Sequence, residues 1–166
     1  LGHLWTRALP DGTPKRLTKQ NDHLEFYPAW SRDGRSVVYV TWDDEKLGSI
    51  RVAGASGGDG RVVTTNPGHY LEPQMSPDGS TIVYRSGTDG YLRSPRWSRE
   101  PGIYAIPAKG GTPRRIRKGG FAPHFGADSD RVYIVDVAGA DDDDRSLVSV
   151  KLDGSDERKH LHGTYF

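Results

Sequence analysis

Three groups of side chains in this 166-residue sequence have types and spacings that can do chemistry. His160-Leu161-His162 has the His-x-His form that supplies two ligands to a hydrolytic divalent metal, an ion that needs at least three protein ligands. No downstream Lys, His and Asp set follows it before Phe166. Asp141 to Asp144 offers four carboxylates, but a loop that wraps calcium alternates its ligands and turns on a glycine, as in Asp-x-Asp-x-Asp-Gly. Four adjacent carboxylates read instead as a solvated acidic loop. The third group, Tyr91, Arg93, Arg96, Trp97 and Arg99, combines aromatic rings with arginine, the composition of protein-binding hot spots. It lies in a long insertion, Ser86 to Pro101, whose plainer reading is a solvated loop. There is no Gly-x-Ser-x-Gly elbow and no glycine-rich phosphate loop. Zero cysteines remove thiol catalysis, zinc ribbons and disulfides. These residues alone are not expected to catalyse a reaction, and no metal or cofactor is expected in this segment.

Composition narrows the partners. The net charge is +1 and the positive residues are not gathered on one arm or face, so the electrostatic footprint of nucleic-acid binding is missing. No apolar run approaches the roughly 20 residues that cross a bilayer, and Leu1 to Pro10 has no basic or apolar targeting region, so no membrane insertion is expected. The load of 21 Gly and 11 Pro points to many short strands joined by many turns.

Those strands come in a repeat. Tyr27-Pro28-Ala29-Trp30-Ser31-Arg32-Asp33-Gly34, Glu72-Pro73-Gln74-Met75-Ser76-Pro77-Asp78-Gly79 and Ala122-Pro123-His124-Phe125-Gly126-Ala127-Asp128-Ser129 align without gaps, their prolines 45 and 50 residues apart. After each comes a β-branched and aromatic stretch, Val37–Val40, Ile82–Tyr84 and Val132–Val135, that reads as a second strand. Third strands recur at Ser49–Val52, Gly102–Ala105 and Ser146–Ser149, and fourth strands at Arg61–Thr64, Arg114–Arg117 and Arg158–Leu161. Four short strands per unit of about 45 residues is the size of a β-propeller blade. The fold expected is therefore all-β: a propeller fragment of four-stranded antiparallel blades, three of them complete. Residues 1–18 match only the last two strands of a preceding blade. Blades follow at 19–64, 65–117 and 118–162, and 163–166 is expected to open the next one. Leu161 falls in register with Leu17, Val63 and Ile116, so the two histidines flank a structural leucine. Trp30, Met75 and Phe125 share one repeat position and are expected in the core between blades, with His124 a satisfied interior histidine. Asp33 and Asp78 are expected to shape turns, with Gly34 and Gly79 accepting positive φ.

The Pro-x-Trp-Ser-x-Asp-Gly signature resembles the TolB-type, WD40-like propeller repeat over nearly the whole chain. Arg32 stands where that repeat prefers proline, and Asp128-Ser129 replaces its Asp-Gly. Three further stretches, Tyr39-Val40-Thr41-Trp42-Asp43-Asp44, Pro67-Gly68-His69-Tyr70-Leu71-Glu72-Pro73 and Ser98-Arg99-Glu100-Pro101-Gly102-Ile103-Tyr104, look like the propeller portion of bacterial amidohydrolase-related proteins. That likeness implies a parent that hydrolyses C–N bonds with a divalent metal such as zinc, none of whose ligands lie here. It also favours a periplasmic or secreted setting. The other readings are a protein-interaction propeller of a TolB-like cell-envelope assembly and the propeller of a prolyl-oligopeptidase-type peptidase.

In such a blade, the loops joining strands two and three and the links between blades emerge on one face. That face is expected to collect Asp43, Asp44, Glu45, the Ser86–Pro101 insertion, the Asp141–Asp144 run, and His23, Glu25, His69 and Glu72. Loops on a rigid scaffold are where binding sites are usually built. The candidate binding residues are Tyr91, Arg93, Arg96, Trp97, Arg99, His69, Glu72, Asp43 and Asp44. The expected partners are the remainder of the parent protein, another protein, or a second copy meeting the open blade faces.

Overall fold

The computed structural model describes residues 2–87, 100–137 and 144–164. Tyr91, Arg93, Arg96, Trp97 and Arg99, and Asp141 to Asp143, lie outside the described residues. Among those described there is no helix, and none long and apolar enough to cross a membrane.

A two-stranded half-blade comes first, β1 (Trp5–Thr6) with β2 (Lys15–Arg16). The first full blade is β3 (Leu24–Trp30), β4 (Ser36–Trp42), β5 (Ser49–Gly54) and β6 (Arg61–Val62). The second is β7 (Tyr70–Met75), β8 (Thr81–Ser86), β9 (Gly102–Pro107) and β10 (Arg114–Arg117). The third is β11 (Phe121–Phe125), β12 (Arg131–Val137), β13 (Asp144–Lys151) and β14 (Arg158–Thr164). Every pairing is antiparallel between neighbours in sequence, which follows from connections too short for a crossover. Gly163 and Thr164, expected to open a further blade, instead continue β14, paired with Arg145 and Asp144. An adjacent strand satisfies their backbone groups more directly than a new sheet would.

Successive blades bury apolar faces against each other. Val38, Val40 and Ile50 of the first blade pack on Ile82, Tyr84 and Ile106 of the second. Val83, Ile103 and Ile116 of the second pack on Val132, Ile134 and Val148 of the third. Each such side chain contributes roughly 1.5–3 kcal/mol by leaving water. The half-blade meets the first blade through a smaller cluster of Leu4, Leu17, Val37, Tyr39 and Ala53.

The first strand of every full blade carries the same irregularity. Tyr27, Glu72 and Ala122 have φ of 51°, 53° and 50°, each just before the repeat's proline, and the register shifts at each of these points. Proline cannot donate to a ladder, so within a sheet it is confined to edges and bulges. The proline in mid-strand was the sequence signal for this bulge, and the repeat reading passed over it. A non-glycine residue with positive φ costs about 1–3 kcal/mol, which surrounding contacts must offset.

The tight turns are built as the repeat implied. Ser31 Oγ donates to Asp33 Oδ1 at 2.7 Å, the Gly34 amide donates to the Ser31 carbonyl at 2.9 Å, and Gly34 has φ of 68°. Ser76, Asp78 and Gly79 repeat this, and hydrogen bonds from the Ser76 and Ser80 hydroxyls and the Ser80 amide hold the Asp78 carboxyl down to about 2. The third turn lacks the glycine and is a bend in which Ser129 Oγ accepts from the Asp78 amide at 3.2 Å. Arg32 reaches from the first blade to the third, donating to the Gly126 and Ala127 carbonyls at 3.1 and 3.0 Å.

Two expectations, for Trp30 and His124, need correcting at the ends of the stack. Trp30 is 52% exposed, whereas Met75 and Phe125 at the same repeat position pack on the cores. Among the described residues, the preceding blade contributes only β1 and β2 beside it. Leu161 is 53% exposed, against 5%, 2% and 5% for Leu17, Val63 and Ile116. Among the described residues, no further blade lies over the third. His124 is exposed on that same face, stacked on Tyr133 with ring centroids 5.8 Å apart, and is not interior.

Candidate functional site

The β4–β5 hairpin and the links that precede β3 and β7 do come together on one face. Trp42 packs edge-on to His69, ring centroids 5.9 Å apart. Gly48 and Gly68 exchange backbone hydrogen bonds at 3.1 Å, and Lys46 Nζ lies 3.9 Å from Asp22 Oδ2. Between these loops lies a cleft in two adjoining parts that share lining residues. One, of about 240 Å3, is lined by Thr41, Ser49, Arg51, Thr64 and Asn66 among others. The other, of about 270 Å3, is lined by His3, Trp42 and Asp44. Asp22, His23 and Asp43 border both.

Asp43 and Asp44 therefore sit at the cleft, though each is partly used by the hairpin itself. Asp43 Oδ1 accepts from the Glu45 and Lys46 amides at 3.0 and 2.7 Å, which forms the turn. Asp44 Oδ1 accepts from Trp42 Nε1 at 2.8 Å. Asp22, His23, Trp42 and Arg51 were not picked out as binding residues. They lie on neighbouring strands and links that only the folded blade brings side by side.

Glu25 is not displayed on this face but sealed between the half-blade and the first blade, its side chain fully buried. Its Oε2 accepts from the Leu4 amide at 2.8 Å and from Thr18 Oγ1 at 2.6 Å, tying the two sheets together. His23, with only 5% of its side chain exposed, stands between this carboxylate and the cleft. Its Nδ1 is 2.9 Å from Asp22 Oδ1, and its Nε2 is 3.8 Å from Glu25 Oε1. Neither Nε2 nor Oε1 has a hydrogen-bond partner, and nor do Arg51 Nε and Tyr39 Oη. Burial, with the Glu25 charge adding to it, pushes the Tyr39 hydroxyl up to about 12.

Burial, and then the Arg51 guanidinium, hold the His23 imidazole below its ordinary value of about 6.5. The folded state thus favours neutral His23 and binds fewer protons than the unfolded chain just below pH 6.5. The associated stability is present above about pH 6.5 and falls as the pH drops toward the lower folded value. Thermal melts from pH 8 to 5.5 are expected to show a smaller loss on acidification for His23→Phe than for the native chain.

Glu72 occupies a structural position. Its carboxylate receives Arg85 Nε at 3.1 Å and Nη2 at 3.2 Å, and the Ala122 amide of the third blade at 2.8 Å. These charge-assisted bonds hold two of the bulged first strands together. Glu72→Gln is expected to lower stability by about 1–2 kcal/mol in urea unfolding, through loss of the charge on a partly buried pair.

The two histidines of His160-Leu161-His162 are split. His160 Nε2 is 2.7 Å from Ser149 Oγ and His162 Nδ1 is 3.1 Å from Ser146 Oγ. Residues 146 and 149 point to opposite faces of a strand. A bulge between β13 and β14 shifts the register here and separates the two rings. Among the described residues, no group of three or more His, Asp or Glu side chains is placed to hold a metal ion.

This architecture has known counterparts. A solved TolB-type structure from Agrobacterium tumefaciens superposes on 95% of the chain with a TM-score of 0.74 at 20% identity, the chain covering 54% of it. The fold is a TolB-like β-propeller. No protein-family model matches the sequence. The Tol-Pal system protein TolB of Francisella tularensis is 34% identical over 74 residues, 44% of this chain and 17% of that protein. Protein Atu1656 of Agrobacterium fabrum is 28% identical over 127 residues, 75% of this chain and 39% of that protein. The TolB-like propeller segment thus spans well under half the length of the curated relatives it matches. A prolyl endopeptidase structure shares the fold at a TM-score of 0.64 and 17% identity, the chain covering 26% of it.

Proposed function

We propose that this TolB-like propeller segment is a non-catalytic binding and scaffolding module of a larger protein. The observation that carries the reading is the pair of uncovered apolar positions at the two ends of the stack, Trp30 and Leu161, whose repeat counterparts are packed. Apolar surface of this kind is an interaction surface. The links and hairpins add a polar cleft on one face. On the amidohydrolase-related likeness, the parent is a metal-dependent hydrolase of C–N bonds and the propeller packs against its catalytic barrel or gates its mouth. The experiment compares this chain with its full-length parent. No turnover of amide or cyclic-amide substrates by the segment, with metal-dependent hydrolysis by the parent, is the expected result. Turnover by the segment alone would overturn it.

The matches to Tol-Pal system TolB proteins favour a second reading, a propeller that joins proteins in a cell-envelope assembly. A parent that captures envelope proteins and shows no hydrolysis distinguishes it from the first.

A further inference from the structure

We propose that a second copy of the chain docks on the outer face of the third blade, and that His124 and His160 make this docking pH-dependent, with association at neutral pH and release in acid. This rests on reading the open ends of the stack as interaction surfaces, and it adds the partner and its regulation. The repeat shows what the outer face is. Val38, Ile50 and Val63 of the first blade, and Val83, Ile103 and Ile116 of the second, pack on the blade that follows. Through the shared register of the three sheets, their counterparts in the third blade are Tyr133, Leu147 and Leu161. Tyr133 and Leu147 are only half-buried there, and Leu161 is exposed.

The chain itself carries the matching surface. Trp30 stands at the repeat position of Met75 and Phe125, which receive the preceding blade, and it is exposed at the opposite end of the stack. A second copy whose first blade meets the third blade of its partner therefore continues the contact that already holds blade to blade. Two such head-to-tail contacts close a dimer. Leu147, Leu161 and Val137 supply apolar surface for it on the upper part of the face.

The lower part is where the third blade departs from the other two. His124 stands in place of Ala29 and Gln74, Tyr133 in place of Val38 and Val83, and Ser149 in place of Val52 and Ala105. The Tyr133 ring stacks with both imidazoles, its centroid 5.8 Å from that of His124 and 5.3 Å from that of His160. Ser149 Oγ accepts from Arg131 Nη1 at 2.9 Å and, 2.7 Å from His160 Nε2, gives its own proton to that nitrogen. That arrangement uses neutral His160. Arg131, Lys151 and Arg158 line the adjoining hollow with Asp128 and Asp130, and all three pair with Asp156. On the receiving side the groove beside Trp30 is lined by His3 and the sealed Glu25. Neither lining holds a further carboxylate. A proton gained by either imidazole is thus an unmatched charge that docking would strip of water, at a cost. The docked pair favours neutral imidazoles and binds fewer protons than the free chains. Association is therefore present at neutral pH and is lost as the pH falls through the range in which histidine charges.

The test measures the association constant of the whole chain by sedimentation equilibrium at pH 7.5 and pH 5.5, beside a His124→Gln, His160→Gln double variant. Glutamine keeps a hydrogen-bonding side chain and cannot be charged. Both positions are exposed, so the variant should fold, which circular dichroism checks at each pH. The native constant is expected to fall about tenfold or more at pH 5.5, and that of the variant by less than about twofold. His23 is present in both proteins, so its effect on stability cancels from the comparison. An equal loss in both proteins, native association unchanged at pH 5.5, or a chain that is monomeric at both pH values would overturn the proposal. Docking of the segment to its parent is read from turnover, so that reading stands or falls separately.

Discussion

Replacing Ile116 by alanine is expected to lower stability by about 2–4 kcal/mol, and the same change at Leu161 by less than about 1 kcal/mol. The two residues share one position of the repeat, the apolar site of the fourth strand. Ile116 is 5% exposed and packs with Val132, Ile134 and Val148 of the following blade. Truncating it removes its transfer energy and leaves a cavity that rigid sheets close only in part. Leu161 is 53% exposed, with no following blade over it among the described residues. Its truncation makes no cavity. Since a domain of this size has only about 5–15 kcal/mol of net stability, the Ile116 variant should show a plainly lower urea midpoint. Equal losses at the two positions would mean that the third blade is covered as the second is.

Most of the fold was legible because a repeat tests itself. Val38, Val83 and the turn residues Ser31-x-Asp33-Gly34 and Ser76-x-Asp78-Gly79 recur with the same chemistry, and each recurrence fixes the period of two that makes a strand. Strand register, by contrast, is decided by pairing. The bulges at Tyr27, Glu72 and Ala122 and the one between β13 and β14 shift side chains to the opposite face, which no alternation pattern shows. For that reason the separation of His160 and His162 onto two faces was not foreseen. Trp30 was read as core from the repeat alone. Burial depends on a neighbouring blade, and a sequence position does not state whether that neighbour is present.

The cleft was legible in part. Strand order placed Asp43, Asp44 and His69 on one face, and the structure joins Asp44 and His69 there through Trp42. His23, placed on that face but not chosen as a binding residue, and Arg51 were missed because their importance lies in burial and in unmet hydrogen bonds, which follow from packing and not from spacing. Glu25 reads as one more surface carboxylate in a linear sequence. In the fold it is a buried tie between sheets, gripping Leu4 and Thr18.

Self-association of the isolated chain is the second large effect expected. At one end the free edge of β1 and the exposed Trp5, Phe26 and Trp30 surround a groove floored by Leu4, Leu17 and Val37. At the other end lie Leu161, Val137 and the Phe121 ring under the Arg145 guanidinium. Unpaired strand edges and uncovered apolar sheet faces both favour association. Two arcs that cover each other's ends would bury these faces without any change within the blades. Charged residues at Trp30 and Leu161 should abolish the association while leaving the internal cores, and so the circular dichroism spectrum, unchanged.

The most direct test of the open-ended stack is light scattering from the purified chain over a rising concentration series, with the Trp30→Lys, Leu161→Lys double variant alongside. The structure predicts a mass that climbs toward a dimer or larger for the native chain and stays at 18.3 kDa for the variant. A native chain that remains strictly monomeric at the highest concentration would contradict it.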